Sequence, residues 1–286
     1  MKKVLLAGAT GNLGRHILQA LKQGGFAVTA LVRSQQKGAT LTPPPDHFIY
    51  EDATYAESLA GCCRGIDFVV SALGKSISLN DHSRSSFHEI DFQANYNLLQ
   101  EAKTAGVQQF IYISAFTAEQ HPALAYFKAH ANFSEALKHS GINYIIIQPT
   151  ALFSAFNEMA AMARKGKLGV IGGGDKSTNP VFEGDVAKVI LESIGSRNQV
   201  IPLGGKKVYT RLEIANLVAK AVNYRGKTMH APKAIVLILL PLLKLFNRNL
   251  YHKLAFLTEV STRDCVAPQI GAHSLEAYFK LPEEQT

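Results

Sequence analysis

Gly8-Ala9-Thr10-Gly11-Asn12-Leu13-Gly14 is the stretch that decides the fold. It follows directly on Val4–Ala7, a short apolar run that reads as a strand. It opens Asn12–Gln23, where Leu13, Ile17, Leu18 and Leu21 recur at helical spacing before Gly24-Gly25. Strand, glycine loop and helix in that order give a glycine motif its chemical meaning. The glycines permit a tight turn and close approach of backbone to a pyrophosphate. The helix start offers the phosphates unpaired N–H groups and a partial positive charge. Gly8, Thr10, Gly11, Asn12, Leu13 and Gly14 are therefore candidate dinucleotide ligands.

Outward from the loop, short apolar runs alternate with helical stretches. Phe26–Val32, Phe48–Tyr50, Asp67–Ala72, Phe110–Ser114 and Tyr144–Ile147 read as strands. Phe87–Gly106 reads as one long amphipathic helix and Ala123–Ser140 as another. Phe68-Val69-Val70 and Ile145-Ile146-Ile147 are unbroken apolar runs, as strands buried on both faces require. The pattern predicts an α/β fold: a Rossmann-type doubly wound parallel sheet with a small, mostly helical C-terminal lobe. Residues 1–155 are expected to form the dinucleotide-binding domain, with 180–204 returning to it. Residues 156–179 and 205–286 are expected to form the smaller lobe.

The second strand ends at Leu31-Val32-Arg33-Ser34. An NAD site commonly places a carboxylate there to hold the ribose 2′-hydroxyl. A carboxylate would repel a 2′-phosphate, whereas Arg33 can pair with one. NADP(H) is therefore expected ahead of NAD(H), with Arg15 as a possible helper.

Composition narrows the partners. The 286 residues carry a formal charge of +8, which attracts anions. The lysines and arginines are scattered and not interleaved with aromatics, so nucleic acid is not expected. Three cysteines, two of them adjacent (Cys62 and Cys63), form neither a disulfide framework nor a metal motif, and no metal is expected. The apolar run behind Met1 stops at the glycine loop, too early for a secretory signal, and a cytoplasmic location is expected. Ala234–Leu243 is continuously apolar apart from Pro241 but too short to span a bilayer. It reads as a buried helix of the second lobe. The alternative is peripheral contact with a membrane or protein through 234–246, flanked by Lys233, Lys244 and Arg248.

Several further motifs occur in order: Glu51-Asp52-Ala53, Ser71-Ala72-Leu73-Gly74, Asp91 with Asn95, Ile111-Tyr112-Ile113-Ser114-Ala115, Gln148-Pro149-Thr150 and Asn179-Pro180-Val181. Together with the glycine loop, over about Lys3 to Ala187, the chain resembles the atypical short-chain dehydrogenase/reductases, especially their NmrA-like NAD(P)H-binding branch. The resemblance implies that Asp52 and Ala53 flank the adenine and that Ala72, Leu73 and Gly74 pass under the cofactor. It implies a catalytic hydroxyl at Ser114, Pro149 and Thr150 near the nicotinamide, and Asn179-Pro180 bordering the substrate. The plainer readings are helix caps for Asp52, before Ala56–Leu59, and for Asp185, and a surface position for Asn95.

Active members of that superfamily use Ser, Tyr and a Lys four residues after the Tyr, whose charge makes the phenol reactive at neutral pH. Here Tyr126 follows Ser114 by twelve residues, but Tyr126-Phe127-Lys128-Ala129-His130 places a histidine at the lysine's position. Lys128, at i+2, lies on a different helical face. Ser114, Tyr126, Lys128 and His130 are the catalytic candidates; His130 and Tyr126 also read as packed helix residues. Three functions stay open: an oxidoreductase moving hydride to or from a small carbonyl or conjugated substrate, a non-catalytic dinucleotide sensor that binds a protein partner, and a membrane-associated accessory subunit.

Overall fold

The computed structural model describes residues 1–282 and divides the chain into two compact units. Unit 1 comprises 1–75, 85–148 and 186–201; unit 2 comprises 76–84, 149–185 and, of the described residues, 202–282.

The first half of the chain supplies β1 (Lys3–Ala7), α1 (Asn12–Gln23), β2 (Ala27–Val32), α2 (Gln35–Gly38), β3 (His47–Tyr50), β4 (Phe68–Ser71), α3 (Asn95–Thr104), β5 (Gln109–Ile113), α4 (Ala125–Lys138) and β6 (Asn143–Pro149). With β9 (Gln199–Leu203) the strands form one seven-stranded sheet in the order β3-β2-β1-β4-β5-β6-β9. The pairings β1–β2, β2–β3, β1–β4, β4–β5 and β5–β6 are all parallel. The order reverses direction between β1 and β4, the switch point where doubly wound sheets bind dinucleotides. The central strands read as apolar runs because both faces are covered: Val4–Ala7, Val69–Val70 and Ile145–Ile147 have no exposed surface. Helix α1 buries Leu13, Ile17, Leu18 and Leu21, the stripe its spacing predicts.

The expected helix over 87–106 runs unbroken over 87–104, but its winding changes along the way. A π-helical turn, His88–Ala94, precedes α3. The wider turn brings Asp91 and Asn95 into the interior, both with no exposed surface. Asn95 is therefore not the surface residue its helix position suggests.

Unit 2 draws on α5 (Phe156–Arg164), β7 (Gly169–Ile171), β8 (Ser177–Thr178), the start of α6 (Glu183–Ser193), β10 (Tyr209–Thr210), α7 (Arg211–Ala221), β11 (Met229–Ala231), α8 (Lys233–Phe246), α9 (Arg248–Ser261) and α10 (Leu275–Tyr278). Its core gathers Phe153, Phe156, Ala160, Leu168, Ile214, Val218 and Leu275. Helix α8 lies against α9 but buries only Leu240, so the expectation of a buried helix over 234–243 is overturned. Asp185 is not a helix cap either. It sits inside the first turn of α6, and its carboxylate accepts from His273 Nδ1 at 2.7 Å and from the Ala272 and His273 amides.

Candidate dinucleotide site

The glycine loop is built for close packing. Gly8 has φ +83°, and a Cβ there would lie 2.5 Å from the Ala72 carbonyl oxygen. A Cβ on Gly14 would lie 2.0 Å from the Gly8 oxygen. Side chains at both positions are excluded by backbone, which cannot yield. At Gly11 the space is open: the nearest atom to an added Cβ is the Gly8 oxygen at 3.5 Å. Gly11 is also the N-cap of α1. It caps with no side chain, and the first turn holds no acidic residue, so the helix start is free of competing negative charge. Gly8 and Gly14 thus close the turn while Gly11 leaves room beside it, which is what a bound pyrophosphate requires.

Arg33 is exposed immediately after β2, and Ser34 caps α2. Arg15 is otherwise engaged: its guanidinium donates to the Thr40 carbonyl at 2.6 Å and to Thr40 Oγ1 at 2.8 Å. Asp52 is half-buried and accepts from the Thr54 amide and hydroxyl at 2.9 and 2.8 Å. It closes its own turn; the cap of the 3₁₀ segment Ala56–Leu59 is Tyr55. Ala53 is buried beside it.

The segment after β4 (Ala72, Leu73, Gly74) is held from beneath. Asn95 Oδ1 accepts from the Ser71 hydroxyl at 2.5 Å, and its amide donates to the carbonyls of Leu73, Ile90 and Asp91. The Lys75 amide donates to the Asp91 carboxylate. Burial pushes the Asp91 carboxyl up, and the His130 hydrogen bond offsets part of that.

His130 occupies the middle of this polar network. Its Nε2 lies 3.2 Å from Asp91 Oδ1, and its Nδ1 lies 2.6 Å from the Tyr112 hydroxyl. Burial, reinforced by Asp91, holds the Tyr112 phenol well above its ordinary pKa, so it stays protonated. With a proton on Nε2 the ring can donate to Asp91 and accept from the Tyr112 hydroxyl. Both ring nitrogens are taken, and the side chain is 5% exposed. Tyr126, half-buried one turn earlier, meets the His130 ring edge-on with centroids 4.6 Å apart and the Phe87 ring at 5.4 Å.

Ser114 is buried just past β5 and shares a hydrogen bond of 3.2 Å with Ser134 Oγ. Tyr126, His130 and Ser134 are spaced i, i+4, i+8 along α4, so one helical face delivers all three. Lys128 is exposed, about 200° around the helix from Tyr126. Tyr112 and Ser134 were not anticipated from sequence, although the i+8 spacing of Ser134 was readable.

In unit 2, Pro149 and Thr150 are buried. The Thr150 hydroxyl donates to the Asn179 carbonyl at 2.6 Å. Asn179, with no exposed surface, exchanges hydrogen bonds with Ala267 through both ends of its amide. It pins the fold of its own unit.

A parallel sheet in this order, with a glycine turn and an uncapped helix start at its switch point, defines a Rossmann-type dinucleotide-binding protein. Residues 8–197 match the NAD(P)H-binding family, and the chain belongs to it. NAD(P)H is its cofactor. The chain is 29% identical over 257 residues to the chloroplastic divinyl chlorophyllide a 8-vinyl-reductase of Arabidopsis thaliana, covering 82% of this chain and 60% of that protein. It thus spans less than two-thirds of the vinyl-reductase's length. It is 24% identical over 275 residues to the photosystem II assembly factor Ycf39 of Guillardia theta, covering 94% and 86%. Among solved structures, the NADPH-dependent quinone oxidoreductase QOR2 of Escherichia coli superposes with a TM-score of 0.69 at 19% identity, covering 99% and 96%. That likeness shows the fold alone. Among the described residues no helix is long and apolar enough to cross a membrane, and no cluster of ligands for a metal ion is present.

Proposed function

We propose that this protein is an NADPH-dependent oxidoreductase that reduces a small carbonyl or conjugated substrate. The observation that carries the reading is the tightly closed glycine turn at an acid-free helix start, with Arg33 exposed at the end of the neighbouring strand. Gly8 to Gly14 hold the pyrophosphate, and Arg33 pairs with the 2′-phosphate. Asp52 and Ala53 flank the adenine, and the Ala72–Gly74 segment, braced by Asn95, supports the cofactor. Pro149 and Thr150 are the residues proposed for the nicotinamide end. NADPH, when bound, supplies the hydride.

The hydride must be matched by one proton. Tyr126 is the half-buried phenol twelve residues after Ser114, and it gives its hydroxyl proton to the substrate oxygen and recovers one from solvent. Ser114 orients that oxygen. His130 is a positioning residue: with both nitrogens occupied it fixes the wall against which Tyr126 packs. Lys128, turned to solvent, tunes the local charge.

The same occupied histidine favours a second reading. Without a lysine four residues after Tyr126, the phenol lacks the fixed charge that activates it in related enzymes, which suits a dinucleotide-dependent assembly or regulatory protein. The test is turnover of NADPH by the purified chain with quinones, aldehydes and enones. Oxidation that falls about 10²-fold in Tyr126→Phe, with NADPH affinity unchanged, supports the enzyme. Tight NADPH binding with no oxidation across the panel supports the second reading.

A further inference from the structure

Helix α8 carries the most apolar sequence of the chain, and its apolar stripe faces outward. Ile235, Ile238, Leu239, Leu242, Leu245 and Phe246 are 54%, 72%, 50%, 55%, 80% and 86% exposed. Their spacing is i, i+3, i+4, i+7, i+10, i+11, which places all six within an arc of about 120°. The buried Leu240 lies on the opposite side, toward α9. In a water-facing helix this stripe would be polar; here the amphipathic pattern is inverted. A contiguous apolar surface of that kind marks a contact.

The chemistry of the surroundings selects the occupant. No Asp or Glu occurs between Glu213 and Glu259, while seven Lys and Arg do. Lys227, Lys233, Lys244 and Arg248 are exposed around the helix. Burial, with Arg248 and Lys244, holds the His252 pKa below its ordinary value. The stripe itself offers no hydrogen-bonding side chain and none of the Tyr, Trp or Arg anchors of protein interfaces. At 14 residues the helix is about 21 Å long, short of the roughly 30 Å of a hydrocarbon core. An aliphatic face, lysines on the opposite side of the helix and insufficient length to span are the properties of a helix lying in a bilayer interface.

We infer that α8 docks in the plane of an anionic phospholipid bilayer, with Ile235, Ile238, Leu239, Leu242, Leu245 and Phe246 in the acyl boundary and Lys233, Lys244 and Arg248 toward the headgroups. The inference is independent of the catalytic reading, because it concerns a different surface and is read without turnover.

The full chain is floated with phosphatidylcholine–phosphatidylglycerol vesicles and with phosphatidylcholine vesicles, at low and high salt. Flotation with the anionic vesicles, weakened by salt and by the double substitution Lys233→Glu/Lys244→Glu, is expected. Ile238→Asp/Leu242→Asp lowers the vesicle partition coefficient roughly tenfold or more. NADPH affinity, measured in the same preparations, stays unchanged in every variant and shows that each is folded. The inference is overturned if the wild-type chain ignores anionic vesicles, if it binds both compositions equally, or if the Asp double variant floats as well as wild type. It is also overturned if light scattering shows a dimer that only the Asp substitutions dissolve, since a second copy then covers the stripe.

Discussion

At the scale of single residues, the contrast between Gly14 and Arg33 separates two contributions to cofactor binding. A methyl at Gly14 collides with the Gly8 carbonyl, so Gly14→Ala must open the turn that receives the pyrophosphate. That change should cost about 2 kcal/mol of stability and weaken NADPH and NADH alike. Arg33 is exposed and outside the core, so Arg33→Ala should leave stability unchanged and weaken NADPH by about ten- to a hundredfold, the value of a charge-assisted contact of ~1.5–3 kcal/mol. NADH should change little. Calorimetric titration of both nucleotides decides it, and equal losses for Arg33→Ala would remove the 2′-phosphate assignment. Arg15 commits two of its guanidinium donors to Thr40. That commitment joins residues 25 apart and has no signature in the sequence around either. Arg33, in contrast, was legible because a strand end is a local feature.

At the scale of elements, the π-helical turn and α4 are joined by the buried contact between Asp91 and His130. Removing the imidazole leaves the Asp91 carboxylate buried without its main partner, so His130→Ala should destabilise the protein by about 3 kcal/mol or more in denaturant unfolding. His130→Ala/Asp91→Asn should recover part of that loss. A double variant no more stable than the single one would show that the pair is not what the two elements share. A second pair ties α10 to β10. Burial alone would raise the Glu276 carboxyl, but hydrogen bonds from Tyr209 at 2.5 Å and Lys207 at 3.0 Å outweigh it and hold its pKa below 4.5. A carboxyl lowered in the folded state stabilises the fold above its unfolded pKa, and that stability disappears as pH falls through the lowered folded value. Melting curves between about pH 5 and pH 3 should therefore fall less steeply for Glu276→Gln than for wild type. Periodicity located these helices well: α1 occupies Asn12–Gln23, the range its spacing predicts. It failed at the π-helical turn, where one wider turn re-aims Asp91 and Asn95 without altering the apolar pattern. It failed again at α8, because an apolar stripe has the same spacing whether it faces a core or a bilayer.

At the scale of the whole molecule, the sheet and its switch point make cofactor binding and folding one equilibrium. NADPH bound only to the folded state at about a hundredfold excess over Kd should add ~2.7 kcal/mol, read as a rise of several degrees in melting temperature. Gly14→Ala should abolish the rise while the Asp substitutions in α8 leave it intact. The element order, the parallel sheet and the place of the dinucleotide loop were determined by sequence alone. Glycine spacing, unbroken apolar runs and helical stripes are constraints between near neighbours in the chain, and any fold must honour them. Only the tertiary structure decided that His130 is consumed by Tyr112 and Asp91, that Asn95 is interior, and that α8 presents its apolar side outward. Those outcomes depend on partners tens of residues away, and burial is a property of the assembled packing, not of any local pattern.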